Sequence, residues 1–181
     1  MKCEYCEIAD LQSKAEIIYE DDEVIAAIKD VVATPGQITV FPKEHFTILE
    51  MVPNKIVKKC ADIANKIGIA VFESLGAQGT NIIIQNGLAA GQSVPHFAIE
   101  IIPRREGDGI NLQWQPQQIP EDEMERAFFE IKEEGDKIKN FDDKEVKENE
   151  IAVDDGDTKM VMKKNKSDKD NYLLKSLKKI P

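Results

Sequence analysis

Four residues of this chain carry side chains that transition metals bind well. They form a complete set: the pair Cys3-x-x-Cys6, His45 in Pro42-Lys43-Glu44-His45, and His96. The chain has only two histidines and three cysteines, so both histidines find a use in such a set. Two thiolates and two imidazoles fill a tetrahedral zinc shell, and a filled shell leaves no open position for substrate, which makes the metal structural. Taken alone, a Cys-x-x-Cys pair fits two ordinary core or surface cysteines equally well. Cys60 falls on apolar helical spacing and reads as a small core residue.

His96 also belongs to a second constellation, the run Gly91-Gln92-Ser93-Val94-Pro95-His96-Phe97-Ala98-Ile99-Glu100-Ile101-Ile102-Pro103-Arg104. Side chains alternate faces along a strand. Val94, His96, Ala98 and Glu100 therefore share one face, and Phe97, Ile99 and Ile101 the other. The second face is apolar and reads as core. The first sets an imidazole and a carboxylate on either side of a methyl group. A half-buried strand with one polar face shows the same alternation, but the Gly91-Gln92-Ser93 turn sets this run apart. It is flexible and rich in donors, of the kind that wraps a phosphate with backbone N–H groups.

The elements that must position these residues lie between residue 1 and about residue 115. Ile17-Ile18-Tyr19 precedes an acidic turn, and residues 24–28 and 37–41 read as strands joined through Thr34-Pro35-Gly36. Residues 54–75 read as a long amphipathic helix, with Ile56, Cys60, Ile63, Ile67, Ala70 and Val71 on one side, ended by Gly76. Residues 81–85 read as a further strand that pairs with the 94–102 strand. One long helix among sequential strands predicts an antiparallel α+β domain. Pro116 and Pro120 close that domain, and 121–141 reads as a charged helix with Met124, Phe128 and Ile131 on one side. Residues 142–157 hold eight acids against two lysines, and 158–181 eight lysines against two acids. The 142–181 segment is read as a flexible tail.

The strand-like run from Gly91 to Arg104 resembles the signature of the histidine triad (HIT) family, in which three histidines alternate with apolar residues after a Gly-Gln-Ser turn. His96 matches the first histidine, Ala98 stands at the nucleophile position and Glu100 at the third. The resemblance covers about residues 3–115 and implies a sheet of about five strands with one long helix. It implies the zinc-bearing branch, with Cys3, Cys6, His45 and His96 as ligands. It also implies a purine nucleotide pocket for an AMP-like ligand. Tyr5, Ile8, Ile28 and Val31 match the positions that sandwich the base, and Asp30 the acid that holds the ribose hydroxyls. Asn86, Gly91, Gln92 and Ser93 match the phosphate side, and Trp114 a substrate-side or dimer-contact tryptophan. The implied reaction is nucleotidyl transfer to the middle histidine and then to water, on nucleoside phosphoramidates, adenylates or dinucleoside polyphosphates. The implied assembly is a homodimer.

Ala98 departs from that pattern, since a methyl cannot attack phosphorus. Two explanations are weighed: an engineered replacement of the nucleophile in an otherwise complete hydrolase, or a natural non-catalytic nucleotide sensor. On the first, restoring histidine at 98 restores hydrolysis, with Glu100 orienting the imidazole as Asp orients His in a triad. A zinc-stabilised scaffold acting through its charged tail is a third, different class. The net charge of −10 argues against general nucleic-acid binding. The opening residues lack a signal-peptide core, no apolar run approaches a membrane span, and the odd cysteine suits a reducing compartment, so a cytoplasmic protein is expected.

Overall fold

The computed structural model describes residues 3–112 and 114–148, with side chains described through residue 135. The described residues fall into two units, one ending at Ile110 and the other starting at Asn111. The first unit opens with the short helix α1 (Glu4–Ala9), followed by strands β1 (Ala15–Glu20), β2 (Val24–Lys29) and β3 (Ile38–Pro42). Helix α2 (Asn54–Leu75) leads to β4 (Gly79–Ile83), and β5 (Ile99–Arg104) closes the sheet. All pairings are antiparallel, in the order β1-β2-β3-β5-β4. The fold is α+β, as the sequence pattern predicts.

The continuous apolar runs of β2 and β3 follow from burial on both faces. On one face Val24, Ala26, Ile38, Val40, Ile99 and Ile101 meet Cys60, Ile63, Ala64, Ile67 and Val71 of α2. On the other Ile25, Ala27 and Phe41 meet Cys3, Tyr5 and Ile8 of the N-terminal segment. Each buried aliphatic side chain contributes about 1.5–3 kcal/mol, so the sheet is held from both sides. Helix α2 ends where expected because Gly76 takes a left-handed φ of 61°, a conformation that favours glycine.

Two strand boundaries differ from expectation. β4 starts two residues before Asn81, and β5 begins at Ile99 rather than near Val94. Pro95 has no N–H to give a ladder, and the His96 N–H is taken locally by the Val94 carbonyl at 2.8 Å. The face assignment survives this bend. Phe97 packs in the α2 cluster, while Val94 and Ala98 pack against the N-terminal cluster.

The second unit contains helix α3 (Glu121–Glu148), which runs past the expected end at 141 and takes in the first residues of the acidic run. Met124, Phe128, Phe129 and Ile131 are exposed on it. Residues 149–181, including the basic end of the tail, lie outside the described residues. Among the described residues no helix is long and apolar enough to cross a membrane.

Candidate functional site

The four metal-type residues, distant in sequence, converge between α1, the loop after β3 and the bend before β5. The Cys3 and Cys6 sulfurs and one ring nitrogen each of His45 and His96 all lie within 4.8 Å of one another. Cys3 Sγ is 3.4 Å and Cys6 Sγ 3.6 Å from His96 Nδ1, and Cys6 Sγ is 3.3 Å from His45 Nδ1. A zinc ion with Zn–S of about 2.3 Å and Zn–N of about 2.0–2.1 Å at tetrahedral angles puts sulfur and nitrogen about 3.5 Å apart. The three spacings bracket that value, so the donor set fits zinc in kind and in size.

His96 is prepared for this use. It is fully buried, and its Nε2 lies 2.9 Å from the Pro42 carbonyl oxygen. A carbonyl only accepts, so Nε2 carries the proton and Nδ1 keeps its lone pair toward the sulfurs. The ring is held edge-on by Tyr5, Phe41 and His45, with centroids at 5.6, 5.9 and 4.9 Å. Burial pulls its pKa down to about 4, which keeps the imidazole neutral as a ligand must be. Burial, followed by the neighbouring Cys3 sulfur, pushes the Cys6 thiol up to about 11. A bound cation would reverse that shift by favouring thiolate. Buried Cys60 stays apart, its thiol pushed up to about 12 by burial, as befits a core residue.

Glu100 sits on the same face, beyond Ala98. Its Oε2 accepts hydrogen bonds from Gln37 Nε2 and Thr39 Oγ1, both at 2.9 Å. Its Oε1 accepts one from Tyr5 OH at 3.3 Å and faces Lys29 Nζ at 3.5 Å. Lys29 in turn donates to Tyr5 OH at 3.1 Å and lies 5.0 Å from the centre of its ring. Burial, then the charge of Glu100, pushes the Tyr5 phenol far above its ordinary range, so it acts as a neutral donor. Lys29, Gln37 and Thr39 are contacts of Glu100 that the sequence pattern did not single out. The signal lies in register: Thr39 is the cross-strand partner of Glu100, and Ala27, two residues before Lys29, pairs with Thr39.

The residues matched to a nucleotide pocket fall into three groups. Gly91 and Ser93 are exposed on the loop before β5, and Asp30 and Val31 are exposed just past β2. Gln92 and Asn86 bond to the protein itself. Buried Gln92 accepts from the Gly87 N–H at 2.8 Å and donates to the Thr47 and Val94 carbonyls at 2.8 and 3.1 Å. Asn86 accepts from the Leu49 N–H and donates to Glu50. Gln92 is not a spare donor for phosphate, because both its N–H groups are used and a buried amide must satisfy both ends; half-buried Asn86 keeps a second N–H.

Tyr5 and Ile8 are 4% and 2% exposed. The Tyr5 ring stacks on Phe41 at 4.8 Å, so these two residues are core rather than an open base sandwich. Ile28 lies on the opposite face of β2, against the α2 cluster, because it is one residue out of phase with Ala27. The four base positions therefore do not converge on one face. Trp114 is exposed, in the second unit.

Comparison with known proteins gives this arrangement its context. A family model described as HIT domain matches residues 10–107. An uncharacterised HIT-like protein of Methanocaldococcus jannaschii is 36% identical over 108 residues, covering 59% of this chain and 82% of its own. Adenylylsulfatase HINT3 of Arabidopsis thaliana is 32% identical over 106 residues, 59% of this chain but only 54% of the plant protein. Among solved structures, a zinc-bound histidine triad family protein from Mycobacterium smegmatis superimposes with a TM-score of 0.58 at 34% identity. That match covers 65% of this chain and 85% of the mycobacterial one. Fold, sequence and family model agree, and the chain belongs to the HIT domain family.

Proposed function

We propose that this protein binds a purine nucleotide beside the loop that precedes β5 without turning it over, on a fold held by a structural zinc at Cys3, Cys6, His45 and His96. One observation carries the reading. The methyl of Ala98 stands where the family's nucleophile would stand, and the nearest carboxylate, Glu100, has all its contacts taken within the protein. His96 cannot substitute, since its free nitrogen points at the sulfurs. The loop keeps an exposed Ser93 hydroxyl suited to an anion, while the Gly91 and Gln92 N–H groups donate to the Leu88 and Gly87 carbonyls. Gly91 holds φ of 87° with an exposed backbone, and a Cβ there would lie 2.6 Å from Gln85 Nε2. Ser93 is exposed beside it. Asp30 is free in space to accept ribose hydroxyls, and the exposed side chain of Val31 adjoins it.

The natural binding module is favoured over an engineered hydrolase by the Glu100 contacts, which hold that carboxylate with Gln37, Thr39, Tyr5 and Lys29. Calorimetric titration with AMP and with a diadenosine polyphosphate tests the proposal, followed by chromatography of the dinucleotide. Binding with the dinucleotide intact is expected. Absence of binding to both ligands, or conversion of the dinucleotide to mononucleotides, overturns it.

The assembly proposed is a homodimer through the β4 edge. β4 ends the sheet order, so its outer backbone groups have no strand partner. Ile82 on it and Ile69, Phe72 and Leu75 on the outer side of α2 are exposed apolar residues. A second copy laid against this edge would cover both.

A further inference from the structure

Glu100 is the carboxylate on the Ala98 face, two residues beyond it, and a carboxylate can orient or deprotonate a reactant. A carboxylate offers about four lone-pair directions; three are taken by hydrogen bonds from Gln37, Thr39 and Tyr5, and Lys29 Nζ faces Oε1 as an ion-pair partner at 3.5 Å. Oε2 holds Gln37 and Thr39, and Oε1 holds Tyr5 and Lys29. Lys29, Gln37 and Thr39 stand on or beside β2 and β3. The carboxylate is thus drawn across the sheet, over its cross-strand partner Thr39, rather than back along β5 toward residue 98. Lys29 supplies the only charge of opposite sign in this set. The Lys29 and Glu100 side chains are 15% and 13% exposed, so the pair sits where water screens it weakly. Removing one partner of such a pair strands the other, which makes the arrangement stiff.

We infer that Lys29 is a positioning residue that locks Glu100 across the sheet, so that an imidazole returned to position 98 finds no acceptor and the site still fails to turn over nucleotide. The inference rests on the binding reading above. Adenosine 5′-phosphoramidate is the probe. In the reaction tested, the lone pair of the imidazole at 98 forms a bond to phosphorus. The phosphorus–nitrogen bond to the leaving group breaks, its electron pair stays on nitrogen, and a proton taken from solvent completes ammonia. Water then attacks phosphorus, the imidazole leaves, the water proton passes to solvent, and AMP and free imidazole result. An imidazole held in one orientation performs the first step far better than a rotating one.

Four proteins are compared: the chain itself, A98H, A98H/K29M and A98H/K29R. AMP release and the mass of adenylylated protein are measured, with AMP affinity by calorimetry. A98H and A98H/K29R are expected to release AMP no faster than the chain itself, and A98H/K29M about tenfold faster or more. AMP binding should persist in all four, so that a difference in turnover is not a loss of ligand. If K29M unfolds the domain, A98H/K29Q, which keeps a polar end without the charge, is expected to show the same gain. Turnover by A98H equal to that of the double variants overturns the lock. So does the absence of turnover in both A98H/K29M and A98H/K29Q while AMP still binds. Failure of the unmodified chain to bind AMP instead refutes the binding reading, and the lock with it.

Discussion

Replacing Gln92 separates a brace from a phosphate donor. Gln92 is 5% exposed and makes three hydrogen bonds of good length, to Gly87 N–H, Thr47 O and Val94 O. Each contributes about 1 kcal/mol net, so Gln92→Ala should destabilise the domain by about 3 kcal/mol. Orphaned Gly87 and Thr47 groups push the cost up, and a water entering the vacated space pulls it down. With a urea m-value of about 2 kcal/mol/M for a domain of this size, the midpoint falls by about 1.5 M. Gln92→Glu is the sharper comparison. Its carboxylate still accepts from Gly87, but it meets two carbonyl oxygens where an amide donated, so at pH 7 it should lose at least as much. Urea unfolding with saturating zinc reads both variants, and calorimetry under folded conditions reads AMP binding. A loss below about 1 kcal/mol together with abolished AMP binding would refute the reasoning, since that is the signature of a side chain that serves the ligand.

Three further outcomes are expected. Elemental analysis should find about one zinc per chain, and Cys3→Ser/Cys6→Ser should carry none; equal zinc in both would remove the site. In chelator-treated protein, His96 titrates at about 4 when folded, against an ordinary value of 6.5 for the unfolded chain. The unfolded chain therefore takes the proton first as pH falls. Stability is whole above about pH 6.5 and is lost toward about pH 4, by about 3 kcal/mol in all. Urea unfolding at about pH 7 and about pH 4.5 should show this loss, and His96→Gln should abolish its share of it. Finally, Ile82→Lys and Phe72→Glu place charges on the β4 edge and the outer side of α2, and sedimentation should find monomers where the unmodified chain is a dimer.

The local pattern made several features legible. Helix α2 was readable because a long amphipathic run ends at a glycine that takes a left-handed turn. The Cys3, Cys6, His45 and His96 cluster was readable because cysteine and histidine are few in this chain, so there was little choice among them. The apolar runs of β2 and β3 pointed to a sheet with both faces covered. Other features depend on which side chains meet across strands, and composition does not encode that meeting. Gln92 looked like a phosphate donor until the Gly87, Thr47 and Val94 groups around it were placed. Tyr5 and Ile8 looked like a base sandwich until α1 was seen packed on the sheet. Ile28 was grouped with them although its phase along β2 turns it to the opposite side.

Along residues 94–100 alternation alone established that His96, Ala98 and Glu100 share a face, and the family resemblance marked Ala98 as the position without its nucleophile. Tertiary packing decided what each residue does there. Pro95 and the Val94 carbonyl bend the chain so that His96 reaches the sulfurs. The antiparallel register brings Thr39, Gln37 and Lys29 onto the Glu100 carboxylate. Alternation is a property of one strand, whereas hydrogen-bond partners come from strands far away in sequence, and only the assembled sheet brings them within reach.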